Sequence, residues 1–423
     1  MDGRRHGLSD PALSGEGLDR RKPYKPLDVG NGIVSGSLTA NGRWLSLGIA
    51  HPIHGRIELT TAPPFTGELF VQAAVRAYRA SLAESVRLSF GFDLLDDEPS
   101  RVELVADSFP YAFVERPQGR FEVTTVAPRG RQGAVQILRI HARAAIVGPS
   151  WGGAMRLARA EFTQLTPRAP LPPAPQRNRS KLEDDVFWIE DSGLGAAAAI
   201  AQTPALNVDE GGTGTAVLAI ALAEDRPTAV KEARELCAQG EALVARELAD
   251  RRAFWTGLGL TREEDAPIRR GVAYALDEGA SRSGDAVAVL ADHVILPLVW
   301  TRDAYFMCRA LLAAGPHEPS VAAVIEGFLR FAFERAERVG GSWPRASLPS
   351  GQAMDPVFQL DQQLWPLLLL ADYARLTGDL DVHVRFGAAV GAVIQTLLRR
   401  RQPFGLIATD ETPADDPLTQ PYH

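Results

Sequence analysis

Cysteine is nearly missing from this chain: Cys237 and Cys308 are the only two in 423 residues. Two thiols make neither a disulfide framework nor a zinc site, and both fall in helical patterns where cysteine acts as a small apolar residue. Long apolar runs are also missing. Residues 295–300 and 367–370 are far too short to span a bilayer. The opening Met1-Asp-Gly-Arg-Arg-His lacks the apolar stretch of a secretory signal. A cytoplasmic protein without a membrane partner is therefore expected. There is no basic surplus either: the formal net charge is −7. Without a basic face to neutralise phosphates, a nucleic-acid surface is not expected. His293, His383 and His423 show no ligand spacing, and the chain has no phosphate-cradling glycine loop and no Gly-x-Ser-x-Gly elbow. No metal or cofactor is expected.

What is present divides at about residue 225. Hydrophobic residues make up 45% of the chain, enough for a large core in two or three domains. Residues 1–24 are polar, rich in Gly and Arg and without periodicity, which predicts a disordered tail. Over 25–225, short β runs alternate with turn residues. Asn41-Gly42, between runs at 33–38 and 44–49, is a strong hairpin signal. Many strands with no helix long enough for a crossover predict an antiparallel β-sandwich, and the Pro-rich stretch 167–175 predicts an exposed loop.

After Arg226-Pro-Thr228 the period becomes helical, with Thr228 placed to cap the first helix. Linker helices are expected over 226–262 and a helical domain over 263–423. Its helices are expected at about 267–280, 301–314, 320–332, 359–376 and 380–401, the last burying Val384, Ala388, Val393 and Leu397. Gly378 suits the left-handed position after a helix end. The links alternate between short (315–319, 377–379) and long, so in an antiparallel array the long loops share one end. Three unusual segments meet there: Trp300-Thr-Arg-Asp303, residues 343–361, and the acidic run 410–416.

Those segments offer Trp300, Trp343 and Trp365, Arg302 and Arg345, and Asp303, Asp355 and Asp361. Aromatic faces cover the C–H face of a pyranose, and guanidinium forks and carboxylates bind its hydroxyls in pairs. The same residues also have ordinary readings: a Trp-Pro corner at Trp343-Pro344, and first-turn carboxylates at Asp303 and Asp361. Asp410, Glu411, Asp415 and Asp416 crowd four carboxylates into one turn-forming segment. Like charges raise pKa in an enclosed site, which is what a general acid needs.

Leu298-Val-Trp-Thr-Arg-Asp-Ala304, followed by a helix, resembles the Trp-x-Arg-Asp signature of six-hairpin, (α/α)6-barrel glycosidases. Gln359-Leu-Asp-Gln-Gln-Leu-Trp-Pro366 resembles the segment these enzymes carry two helices later. Thr412-Pro-Ala-Asp-Asp-Pro417 is similar to the acid-bearing stretch of the metal-independent exo-α-1,6-mannosidases, and it holds the place of the acid in the trehalase and processing-glucosidase branches. Val29-Gly-Asn-Gly32 and Gly42-Arg-Trp-Leu45 resemble the N-terminal sandwich of glucoamylase-type members.

The resemblance implies a multidomain β + α fold, an antiparallel β-sandwich followed by an incomplete (α/α)6 toroid. It also implies inverting hydrolysis of terminal α-linked sugars, with an oligosaccharide or glycoside as partner. Asp416 would be the general acid, with Asp415 second. Trp300, Arg302, Asp303, Trp343, Arg345, Asp361, Asp410 and Glu411 would bind substrate. About five barrel helices precede His423 where the barrel needs twelve, so a fragment lacking the late catalytic Glu is expected. A non-catalytic carbohydrate-binding protein and a phosphorylase on the same barrel are the alternatives.

Overall fold

The computed structural model describes residues 27–62, 89–93, 101–148, 150–160, 177–204, 206–293 and 297–411. The expected tail, the 167–175 loop, and Asp415 and Asp416 lie outside the described residues. The chain forms two compact units. The first takes the described residues of Met1–Ile49, Ile57–Arg159 and Ala174–Glu278; the second takes those of Ala50–Arg56, Ala160–Pro173 and Gly279–His423.

Two antiparallel sheets dominate the β-rich half. One has five strands in the order Leu27–Gly30, Val34–Leu38, Trp44–His51, Gly55–Thr60, Arg156–Arg159. The other has eight: Asn178–Glu183, Val186–Asp191, Ala196–Gln202, Thr213–Ala223, Gly133–Ala142, Gly119–Val126, Phe109–Arg116, Arg101–Val105. The period-2 alternation of a strand sorts its residues into two cores. Ile200, Leu218 and Ile220 join Trp44, Leu47 and Ile57 of the five-stranded sheet in one core. Ala197, Ala199, Val217 and Ala219 point the other way, into a second core with α1 (Arg226–Gly257). The middle strands of the eight-stranded sheet, Gly133–Ala142, Ala196–Gln202 and Thr213–Ala223, are thus buried on both faces along most of their length, which explains their nearly continuous apolar runs. Residues 226–257, expected as a linker, instead lay Ala229, Ala233, Leu236 and Val244 over that outer face.

The hairpin at Asn41-Gly42 forms as expected, and two other local expectations change. The cap of α1 is Asp225, not Thr228: its carboxylate accepts Thr228 N–H at 2.9 Å. The Asn41-Gly42 hairpin has positive φ only at Gly42 (+86°), whose N–H donates to Thr39 O at 2.9 Å. The helix expected at 267–280 stops early. It runs as α2 (Ala266–Ala273), widens into a π turn at Tyr274–Glu278, and yields to a hairpin of Ala280–Ser283 and Ala286–Val289. Gly284, at φ +64°, turns that hairpin.

The second unit carries α3 (Thr301–Ala314), α4 (Pro319–Arg330, extended by a π turn over Phe331–Arg335), α5 (Leu360–Thr377) and α6 (Asp381–Arg399). α4 buries Val321, Val324, Ile325 and Phe328 as its pattern predicts, and Gly378 ends α5 at φ +78°. α6 is rotated from the expected phase. Val393 and Leu397 are buried, but Val384 is 84% exposed and Ala388 is exposed, and Val382, Phe386 and Thr396 fill the inner face instead. Its sequence is apolar on two sides, so periodicity alone could not choose the inner one. No helix of the described residues is long and apolar enough to cross a membrane.

His51, also in this unit, is buried and takes the N–H groups of Ile53 and His54 on Nδ1 at 3.2 and 3.1 Å. Burial first, and the neighbouring His54 second, pull its pKa down to about 4. Between pH 6.5 and about 4 the unfolded chain therefore binds a proton that the folded chain refuses. Stability should fall as pH drops through that window and level off below it. Urea melts across the window should show this slope for the wild type and a shallower one for His51→Asn.

Candidate functional site

The helices α3 and α5 start side by side, and a proline locks them together. Pro366 has no N–H, so the carbonyl of Gln362, four residues earlier, has no donor within α5. The Thr301 hydroxyl fills the gap, lying 2.7 Å from Gln362 O and 2.6 Å from its Oε1. Arg302 N–H donates to the same Oε1 at 3.1 Å. Gln363 clasps the next loop, donating to Trp343 O at 2.8 Å and accepting Trp343 N–H at 2.8 Å. Gln359, Gln362 and Gln363 are 0–1% exposed. Fully buried amides persist only when hydrogen-bonded, and here they set the spacing of every nearby segment. The sequence reading gave them no role. Gln359 just before α5, with Gln362 and Gln363 in its first turn, was the available signal.

On this frame Arg302 reaches Asp361 at 3.1 Å, and the Trp365 indole donates to the same Asp361 Oδ2 at 3.2 Å. The other oxygen, Asp361 Oδ1, is buried and has no hydrogen-bond partner among the described residues, and so is the indole nitrogen of Trp300. Trp300 is the extended residue just before α3 and packs on Leu298, Ala346, Leu348 and Met354. Asp303 lies in the first turn of α3, where its charge suits the helix dipole. Trp365 stacks on Tyr305 at 4.8 Å, beside Phe306, which is 57% exposed.

A second charged group flanks the start of α5. Arg345 pairs with Asp355 and donates to Glu411 Oε2 at 2.6 Å. Asp355 is 1% and Glu411 3% exposed. The segment carrying Glu411 runs along α5's entry, with Asp410 N–H donating to Phe358 O at 3.1 Å and Leu360 N–H to Thr409 Oγ1 at 3.1 Å. The Asp410 carboxylate faces Arg400 at 3.2 Å, and Arg400 covers the Phe358 ring at 3.7 Å. The described parts of the three expected segments, which for the acidic run are Asp410 and Glu411, thus meet there.

Their roles differ from the expectation at three positions. Trp343 is 1% exposed, its indole N–H bound to Ala332 O at 2.8 Å and its ring covered by Arg338 at 3.6 Å, so it packs the wall and offers no face to a ligand. Arg345 and Glu411 are consumed in an internal ion pair. Trp300, Arg302, Asp303 and Asp361 remain partly exposed at the start of the two helices. Asp415 and Asp416 lie outside the described residues. Among the described residues no group of three or more metal-binding side chains forms. Both cysteines are buried, and burial pushes the Cys237 thiol up to about 11 and Cys308 higher still.

Neither a family description nor a curated protein sequence matches the chain. Solved structures do. A putative kojibiose phosphorylase from the human microbiome aligns over 89% of this chain and 57% of its own, at 9% identity and TM-score 0.53. A bacterial glucoamylase complexed with acarbose aligns over 92% of this chain and 59% of its own, at 11% identity and TM-score 0.53. The chain therefore spans under two thirds of the length of either. It shares their fold class: N-terminal antiparallel β-sheets followed by part of an (α/α)6-type helical domain.

Proposed function

We propose that the open end of α3 and α5 binds an α-linked sugar, and that the chain is part of an inverting exo-acting glycoside hydrolase. The observation that carries the reading is the unmatched pair at that end: a buried indole donor on Trp300 and a buried carboxylate acceptor on Asp361. A hydroxylated ligand supplies the complement of both, and buried polar groups left unpaired by the wrong ligand are a source of specificity. Arg302 would bind an adjacent hydroxyl, and Asp303 would sit at the dipole end. The glucoamylase of similar fold binds acarbose, which supports a carbohydrate ligand here.

The assignment of Asp416 as general acid, with Asp415 as second candidate, rests on the resemblance of 412–417 to the acid-bearing stretch of exo-α-1,6-mannosidases. An inverting pair stands about 6.5–9.5 Å apart so that a water fits between acid and base. The similarity to a kojibiose phosphorylase favours one second reading, phosphorolysis on the same frame, which would require inorganic phosphate for turnover.

Calorimetric titration with kojibiose, maltose and an α-1,6-mannobiose tests the binding step. Arg302→Ala should weaken the best of these by roughly 10- to 100-fold, the scale of a charged hydrogen bond to a ligand. Unchanged affinity with the fold intact would remove Arg302 and this end of the helices from the site.

A further inference from the structure

The first unit holds a cavity of about 340 Å³ where the π turn Tyr274–Glu278 meets the strand Leu27–Gly30. The two are seated flush. A Cβ on Gly30 would stand 2.4 Å from Asp277 O, and Gly32 N–H donates to that same carbonyl at 2.8 Å. A π turn inside a helix often marks a functional site. Asp28, Asp107, Ser108, Arg270, Tyr274 and Glu278 supply the polar lining.

Two of these side chains carry unmatched oxygens. Glu278 and Asp107 are each 5% exposed, and Glu278 Oε2 and Asp107 Oδ1 have no hydrogen-bond partner among the described residues. Asp107 is otherwise well held. Its Oδ2 accepts from Arg269 at 2.6 Å, while Arg270 Nε stands 3.6 Å from Oδ1. Asp277 is paired with Arg251, and Asp28 accepts from the Ser37 hydroxyl at 3.2 Å. Around Glu278 the carboxylates of Asp28, Asp107 and Asp277 thus oppose the guanidiniums of Arg251, Arg269 and Arg270. This wider cluster, of which Asp28, Asp107, Arg270 and Glu278 line the cavity, is neutral when Glu278 is an acid. Burial, then Asp277 and Asp28, push the Glu278 pKa well above the usual carboxylate range, against a smaller pull from Arg251.

We propose that this cavity is a second binding site, built for a neutral polyhydroxylated molecule of monosaccharide size. Hydroxyls donate to Asp107 Oδ1 and accept from the Glu278 carboxylic acid, and no net charge needs balancing. An anion would face the carboxylates of Asp28 and Asp107, and a cation would add a charge that the cluster does not balance. The volume falls at the lower end of small-ligand pockets, roughly 300–1,000 Å³. The inference does not depend on the site at α3 and α5.

The test is titration of the full chain, in the Arg302→Ala background, with methyl α-D-glucopyranoside, methyl α-D-mannopyranoside, myo-inositol and methylammonium. At least one of the three neutral probes should bind saturably, and its affinity should fall as pH rises through the Glu278 titration. Glu278→Gln, which keeps a donor and an acceptor, should stay within about threefold and lose the pH dependence, whereas Glu278→Leu should lose roughly tenfold or more. Glu278→Leu removes a buried, unmatched acid, so its melting temperature should hold or rise, which separates lost binding from lost fold. No saturable binding by a neutral probe, binding unaffected by Glu278→Leu, or binding of methylammonium alone would each overturn the proposal.

Discussion

Replacing Arg345 with methionine should lower the unfolding free energy by about 3–5 kcal/mol, the cost of stripping a buried ion pair of one partner. Asp355 and Glu411 are 1% and 3% exposed, and Arg345 is the cation that pairs with both. Without it two like charges face each other with little water, and Asp355 retains only such local bonds as the Val357 N–H at 3.2 Å. The effect should reach the functional end. Glu411 anchors the segment whose Thr409 and Asp410 hydrogen-bond the entry of α5. Urea unfolding should report the loss, and adding Glu411→Gln should recover a substantial part of it, since one of the two stranded charges is then removed. A methionine variant as stable as the wild type would show that the cluster bears no load in the folded state.

The other large effect concerns turnover. In a polypeptide carrying the whole helical domain, Asp416→Asn should lower kcat by about 10²- to 10⁴-fold, the span that a positioned general acid contributes. Protonation matters most when the leaving group is poor. A substrate with an activated leaving group, such as a nitrophenyl glycoside, should therefore lose far less than a disaccharide does. Asp415→Asn serves as the control: if it, and not Asp416→Asn, shows that pattern, the acid is Asp415. Near wild-type turnover of a disaccharide by both variants would take the acid out of this segment.

What could be read from residue order follows from what local patterns encode. α3 begins at Thr301 and ends at Ala314 as expected, because the turn residues Gly315-Pro316 stop it. The sandwich was legible through alternating strands. The cover over its outer face was not, because α1 is alanine-rich and of low amphipathicity, and only the partner sheet reveals which side it buries. Arg302 and Asp361 were placed at one end by loop lengths alone, and they pair there. The glutamine clasps stayed hidden because most of their partners are backbone groups of other segments, such as Trp343 N–H and Arg302 N–H, which carry no residue-specific signal. Trp343 and Arg345 looked like ligand-binding groups by type. Tertiary burial decides otherwise, and burial of a single loop residue is not written in its neighbours.

In the proposed function, the start of α3 and α5 receives a sugar through its unmatched polar groups. The most direct measurement is the indole N–H resonance of Trp300 in a nitrogen-15 spectrum, assigned by its loss in Trp300→Phe. On saturation with the best-binding α-linked disaccharide it should shift downfield as a ligand hydroxyl becomes its acceptor. The resonance of Trp44, buried in the sandwich core, should stay in place. A sugar that binds to saturation while the Trp300 indole resonance does not move would contradict the account.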